Sequence, residues 1–244
     1  CDVGSTNRAP NNNASVKMLE TSNIMNCTEA GHSSGTSRSF VMTVTGPVDP
    51  GDLGVTLAHE HIFIDLRNQF REFSDPRQRA ASDELLRIDN LGLVRRNPYA
   101  VRDNLVLDNL PAALREVEYF RAQGGRTIVD CTSVGIQRNP LSLAAIAKAT
   151  SLNVIAGCGY YTHDTHPATM DGKTPHQLAD EMISDLTVGI DGTDIRAGVI
   201  GEIGTSHPIH PNEQKNLIAA AMASKETGAG IQVHTYPWGQ DGLE

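Results

Sequence analysis

The sequence predicts an α/β fold with a parallel sheet, and it favours a closed (β/α) barrel of the TIM type over an open doubly wound sheet. Short hydrophobic strands alternate with amphipathic helices after residue 104. No Gly-rich phosphate turn follows a strand and no Walker lysine is present, although an open nucleotide-binding sheet would be expected to show them. Polar residues instead lie near the carboxyl ends of strands, where barrel active sites are built.

Composition excludes several classes of protein. The chain of 244 residues can bury a sizeable core. A net charge of -9 without a Lys/Arg cluster argues against a nucleic-acid partner. No apolar run reaches the roughly 18 residues of a transmembrane segment. Four cysteines are too few for a disulfide framework in a chain of this length.

Two regions differ in composition. Residues 1–40 are rich in Asn, Ser and Gly, and we expect a disordered low-complexity tail there. Residues 41–244 are expected to form the barrel portion. Cys1 has no Met before it, so either the sequence begins mid-chain, which we favour, or Cys1 is the acylated residue of a surface lipoprotein. The location therefore stays open between a soluble cytoplasmic protein and a lipid-anchored one.

The predicted elements follow in a regular order. Residues 41–48 are expected to form a short strand closed by Gly46-Pro47, and residues 56–65 the first barrel strand. The charged segment 67–104 is either a functional loop or a solvated surface excursion with short helices of its own. Beyond it the sequence predicts helices that begin near Leu110, at Pro140, at Pro175 behind a Thr174 cap and at Pro211, and strands over residues 126–132, 153–161, 197–204 and 230–236.

Three of these strands carry residues that can bind a metal. His59 and His61 lie two residues apart on the first strand, so their side chains point to the same side. Glu202 and His234 interrupt apolar runs on the fourth and fifth strands. Burying such groups is costly unless they are paired or bound to a cation, and together they form a zinc-like or manganese-like ligand set. The alternative is that Glu202 pairs with an arginine and His234 is a satisfied core histidine.

The motifs resemble those of the phosphotriesterase-related proteins of the amidohydrolase superfamily over roughly residues 41–244. The resemblance depends on Thr45-Gly-Pro-Val48, on Leu53, Gly54, Thr56 and Leu57 before His59-Glu60-His61, on Val199-Ile-Gly-Glu202, and on Lys225-Glu226-Thr227 before Gln232-Val-His-Thr235. It implies a complete (β/α)8 barrel with a binuclear metal centre, usually two Zn2+, with Mn2+ or Co2+ as alternatives. It also implies a small-molecule substrate whose phosphotriester, carboxylic ester, lactone or amide bond is hydrolysed by a metal-bound hydroxide.

Residue roles follow from the resemblance. His59 and His61 would bind the first metal, His234 would bind the second, and Glu202 would bridge them where phosphotriesterases proper have a carboxylated lysine. Tyr161 matches a tyrosine that lactonase-like members place beside the metals, so it is a candidate for positioning substrate; otherwise it is a rim aromatic. The family's histidine on strand six and aspartate on strand eight would lie beyond residue 244. Since only five strands can be counted, we expect an N-terminal fragment, truncated after about the fifth strand.

The sequence therefore predicts a metal-dependent hydrolase. A mononuclear, deaminase-like member of the superfamily, a non-catalytic metal-binding or scaffold protein and an inactive fragment stay open as alternatives, and a homodimer is not excluded. Four further histidines are expected to be solvated loop residues on the active face, unless they line a substrate pocket: His163, His166, His207 and His210.

Overall fold

The computed structural model of the protein describes residues 39–239 and residue 242. The expected tail of residues 1–40 lies outside the described residues except for Ser39 and Phe40, so its disorder stays a prediction. In chain order the strands are β1 Val41–Thr43, β2 Gly46–Val48, β3 Val55–Glu60, β4 Ile64–Asp65, β5 Val106–Leu107, β6 Gly125–Asp130, β7 Asn153–Cys158, β8 Val199–Gly204 and β9 Ile231–His234. The α-helices are α1 Leu91–Arg96, α2 Leu110–Ala122, α3 Pro140–Thr150, α4 Pro175–Thr187 and α5 Pro211–Thr227.

The central sheet has five strands in the order β3-β6-β7-β8-β9. Every neighbouring pair is parallel, and each strand lies beside the next sheet strand along the chain. A doubly wound open sheet reverses its strand order at a switch point, whereas the strands of a (β/α) barrel follow one another around the axis. The described order therefore confirms the predicted α/β barrel architecture through its fifth strand.

Hydrophobic side chains pack on both faces of this sheet. The larger core lies between the sheet and its helices, with Ile128, Val154 and Ile200 facing outwards. A smaller core on the inner face contains Val129 and Ile155, together with Val41, Cys131 and Val199. Adjacent residues such as Ile128 and Val129 face opposite cores because side chains alternate along a strand. Burial on both faces explains why these strands are continuous hydrophobic runs.

Residues 41–48 form a hairpin of two short strands, so the prediction of a single strand there is wrong. Strands β1 and β2 pair antiparallel. The chain reverses between them because Gly46 has a φ of +120° and its carbonyl accepts a hydrogen bond of 2.7 Å from the Thr43 hydroxyl. Met42 is buried, and the Val44 amide donates to the carbonyl of Val154 in β7 at 2.8 Å. The hairpin thus packs directly against the central sheet.

Helices α2 to α5 begin where the sequence predicts. Thr174 and Gln177 form a complete capping box at the start of α4. Helix α5 ends at Gly228, which has a φ of +76° and so takes the left-handed C-cap conformation that favours glycine. Among the described residues, none of the helices has both the length and the hydropathy needed to cross a bilayer.

The charged segment 67–104 is a surface excursion with short helices of its own, which was one of the two predicted alternatives. It contains 3-10 turns at Arg67–Gln69, Arg79–Asp83 and Arg102–Leu105 as well as α1. Five buried residues give it a small separate core: Phe73, Ala81, Val94, Ala100 and Val101. The excursion is closed at its base because β4 pairs antiparallel with β5.

Candidate metal centre

The predicted metal-binding residues converge at the carboxyl ends of the central strands. His59 lies near the end of β3 and His61 directly after it, Glu202 lies in β8, and His234 is the last residue of β9. The Nε2 atoms of His59 and His61 lie 3.2 and 3.0 Å from the two carboxylate oxygens of Glu202. The Nδ1 atom of His234 lies 3.1 Å from Glu202 Oε2. Three imidazoles on two edge strands thus surround one carboxylate.

Glu202 is the buried centre of this cluster, with 2% of its surface exposed. Burial raises the pKa of a carboxyl group, but the hydrogen bonds and charges of His234 and His61 outweigh burial and lower the pKa of Glu202 to about 2. The carboxyl group is therefore ionised at neutral pH. In the described part of the chain, no Lys or Arg pairs with it, which contradicts the alternative of an arginine partner.

The donor set fits a metal ion. His59, His61 and Glu202 each offer one ligand atom, and these three atoms lie within 4.8 Å of one another. Neighbouring ligands of a tetrahedral zinc ion lie roughly 3.3 Å apart when the bonds to the metal are about 2.0 Å long, and the nitrogen–oxygen separations here are 3.0 and 3.2 Å. His234 contacts the same carboxylate but does not belong to this group of three.

Tyr161 lies beside His234, with its hydroxyl oxygen 3.3 Å from His234 Nε2 and the two rings 5.0 Å apart. Burial and the negative charge of Glu202 raise the pKa of this phenol, so it keeps its proton at neutral pH. The structure therefore places a hydroxyl hydrogen-bond donor beside His234, and its role in positioning substrate stays a prediction.

A register shift turns Glu202 towards the histidines. Strand pairing with β9 is irregular between Ile200 and Ile203, and both of these side chains pack in the outer core. Strict alternation would put Glu202 on the same outer face as Ile200. The inward turn is accommodated by Gly157 in β7, because a Cβ atom there would lie only 1.9 Å from the carbonyl oxygen of Gly201.

Comparison with known proteins agrees with this geometry. Residues 39–244 match the family model described as the Phosphotriesterase family. The chain belongs to the phosphotriesterase family. An N-acetyltaurine hydrolase from Rattus norvegicus is 40% identical over 195 residues, which cover 80% of this chain and 56% of that protein. The resemblance read from the motifs is thereby confirmed.

Two solved structures share the fold of this chain. A resiniferatoxin-binding protein from Rhodobacter sphaeroides superposes with a TM-score of 0.79 at 38% identity, covering 81% of this chain and 55% of that one. A lactonase from Listeria monocytogenes superposes with a TM-score of 0.63 at 27% identity, covering 81% and 57%. The chain spans little more than half the length of these proteins.

Two residues that the sequence analysis did not single out support the cluster: Asp130 at the end of β6 and Thr132 just after it. Asp130 is buried, and its carboxylate accepts hydrogen bonds from the backbone amides of Ile62 at 2.7 Å and Thr132 at 3.1 Å. Burial raises the pKa of Asp130 more than these hydrogen bonds lower it. The Thr132 hydroxyl lies 3.0 Å from His61 Nδ1. The signal was present, since both are polar residues at the carboxyl end of a predicted strand.

The four loop histidines make contacts that the sequence analysis did not predict. Burial lowers the pKa of His166, whose Nε2 lies 2.7 Å from the carbonyl oxygen of Tyr161, so the expectation of a solvated side chain is wrong there. The rings of His163 and His210 stack with centroids 4.5 Å apart. Both receive support from Glu213, a buried carboxylate that accepts their backbone amides at 2.9 and 2.8 Å. His207 stacks on Tyr236.

Proposed function

We propose that the protein is a metal-dependent hydrolase that acts on ester-type or amide bonds of small molecules. The observation that carries the proposal is the buried Glu202 carboxylate, which three imidazole nitrogens approach within 3.2 Å at the carboxyl ends of barrel strands. A buried charge requires a partner, and a ligand set of imidazole and carboxylate groups is typical of zinc.

Each residue of the cluster has a proposed role. His59 and His61 hold one metal ion, His234 contributes to a second, and Glu202 is shared between them. Zinc is the proposed metal, with Mn2+ or Co2+ as alternatives that the same donors accept. When bound, the metal would supply Lewis-acid polarisation of the bond to be broken and would help a water molecule to lose its proton.

The chain's own side chains determine how substrate reaches this centre. Because the active sites of (β/α) barrels are built at the carboxyl ends of their strands, substrate is proposed to bind at that end, where the cluster lies. The protonated Tyr161 hydroxyl can donate a hydrogen bond to a substrate oxygen and so orient the reacting bond beside His234.

The class of bond is proposed from the names of relatives. The name N-acetyltaurine hydrolase indicates an amide substrate and the name lactonase a cyclic ester. The motif resemblance adds phosphotriesters and carboxylic esters to the proposed substrates. An amide with a small acyl group is our first choice because the hydrolase is 40% identical to this chain and the lactonase 27%.

The test combines metal analysis with a substrate screen on the complete protein. We expect about two metal ions per chain by plasma mass spectrometry, and turnover in a panel of N-acyl amino acids, lactones and aryl esters. Glu202→Gln and His61→Ala should lose metal and turnover while keeping the fold by circular dichroism. His176→Ala is the matched control, since His176 is exposed on α4 outside the cluster.

Three results would contradict the proposal. Wild-type protein without bound metal would support a scaffold, and a single ion per chain would support the mononuclear, deaminase-like alternative. Full activity in both cluster variants would show that these residues do not form the site.

A further inference from the structure

We propose that Thr132 is a positioning residue that fixes which nitrogen of His61 carries the proton, and thereby prepares the other nitrogen to bind metal. The inference builds on the proposed function, because it assigns a task within the same site. It depends on a chain of three contacts that runs from a backbone carbonyl through Thr132 and His61 to Glu202.

The first contact determines the direction of the others. The Thr132 hydroxyl lies 2.9 Å from the carbonyl oxygen of Phe63. A carbonyl oxygen can only accept, so the single hydroxyl proton of Thr132 points to Phe63. The hydroxyl oxygen lies 3.0 Å from His61 Nδ1 and has no second proton to give. His61 Nδ1 must therefore carry a proton and donate it to Thr132.

The third contact shows the consequence for metal binding. A neutral imidazole has one N–H, so with Nδ1 protonated His61 presents the lone pair of Nε2. Nε2 lies 3.0 Å from Glu202 Oε1. A lone pair facing a carboxylate oxygen requires a positive charge between the two atoms, either a proton or a metal ion. Thr132 thus favours the form of His61 that binds a cation together with Glu202.

Asp130 fixes the backbone next to both partners of the His61–Thr132 hydrogen bond. Its carboxylate binds the amide of Ile62, next to His61, and the amide of Thr132. One buried side chain therefore fixes the backbone at both ends of the His61–Thr132 hydrogen bond. Thr132 is 2% exposed, so water does not compete freely for its hydroxyl. Metal-binding histidines generally depend on such a partner for ring orientation and tautomer.

The experiment measures the proton position and the metal affinity separately, in the complete protein. In the metal-free wild type, 15N NMR of the His61 ring should show a proton on Nδ1, and any further ring proton should lie on Nε2, which faces Glu202. In Thr132→Val, which keeps the shape but loses the hydroxyl, Nδ1 should lose its proton and Nε2 alone should carry one, hydrogen-bonded to Glu202. Zinc affinity, measured by competition with a chromophoric chelator, should fall about 10- to 100-fold in Thr132→Val and return in Thr132→Ser.

A matched control lies five residues earlier, in β6. Thr127 is also buried and donates to a backbone carbonyl, that of Leu53, at 2.6 Å, but it contacts no residue of the metal cluster. Thr127→Val should therefore lower stability without changing zinc affinity or the His61 ring signals. This variant separates the loss of a buried hydroxyl from the loss of the contact to His61.

The outcomes separate this inference from the proposed function. If wild-type protein binds zinc but Thr132→Val binds it within about twofold, or if His61 Nδ1 carries no proton in the wild type, Thr132 does not have the proposed role. The second measurement uses only wild-type protein, so it decides the matter even if Thr132→Val does not fold. If wild-type protein binds no metal while the proton lies on Nδ1, the proposed function fails and the role of Thr132 in fixing the tautomer stands.

Discussion

Gly157→Ala should displace Glu202 although it changes a residue that binds nothing. A Cβ atom at this position would lie 1.9 Å from the carbonyl oxygen of Gly201 and 3.0 Å from its carbonyl carbon, whereas ordinary contact begins at 3.4 Å. The oxygen must therefore retreat by about 1.5 Å, and a backbone atom cannot rotate away as a flexible side chain can. Glu202 follows directly in the chain, and its contacts to the histidines are only 3.0 to 3.2 Å long.

We expect Gly157→Ala to lower the free energy of unfolding by about 1 to 3 kcal/mol, the usual cost of overpacking a core, and to weaken zinc binding at the same time. Chemical denaturation and chelator competition measure the two effects. Gly172→Ala is the matched control, since a Cβ atom there meets nothing within 4 Å. Wild-type zinc affinity in Gly157→Ala, together with stability within about 0.5 kcal/mol of wild type, would refute the argument that this glycine positions Glu202.

Three further predictions concern charge and exposure. Removing metal with a chelator should lower the unfolding temperature of wild-type protein but not that of Glu202→Gln, because a ligand that binds only the folded state stabilises it; an equal response in both proteins would argue against Glu202 as a ligand. Glu213→Gln should cost about 1 to 3 kcal/mol at neutral pH, since backbone amides of three residues and the Ser206 hydroxyl hold its pKa low despite burial. This loss should shrink in acid as wild-type Glu213 itself becomes protonated, and thermal unfolding at several pH values measures it. Burial raises the pKa of Cys131 to about 12 and that of Cys158 as well, so iodoacetamide at mildly alkaline pH should label neither until denaturant is added, as peptide mass mapping would show.

The local patterns were sufficient to predict most of the fold. Proline and capping residues mark the starts of α3, α4 and α5, and a left-handed glycine marks the end of α5, because the groups that terminate a helix lie within one turn of it. Short-range sequence was not sufficient at residues 41–48, where the hairpin is held against the sheet by the hydrogen bond from the Val44 amide to the distant Val154 carbonyl. It also left the excursion at 67–104 undecided, since its small core brings together Phe73 and Val101 from opposite ends.

The candidate site, too, was predicted only in part from the sequence. The spacing of His59 and His61 placed both imidazoles on one side of a strand, and the structure brings both Nε2 atoms to Glu202. The inward direction of Glu202 was not readable, because the period of a strand puts it on the outer face with Ile200. Its direction depends on a register shift in β8 and on the missing side chain of Gly157 in the neighbouring strand.

The sequence by itself indicated the type of chemistry, since imidazole and carboxylate groups in apolar strands form a ligand set that suits a metal ion. Only the tertiary structure decided which groups support them. Thr132 and His61 are separated by 71 residues, and Asp130 and Ile62 by 68. Contacts over such distances depend on the pairing of β3 with β6, which no local pattern specifies, because register is set by the packing of whole strands.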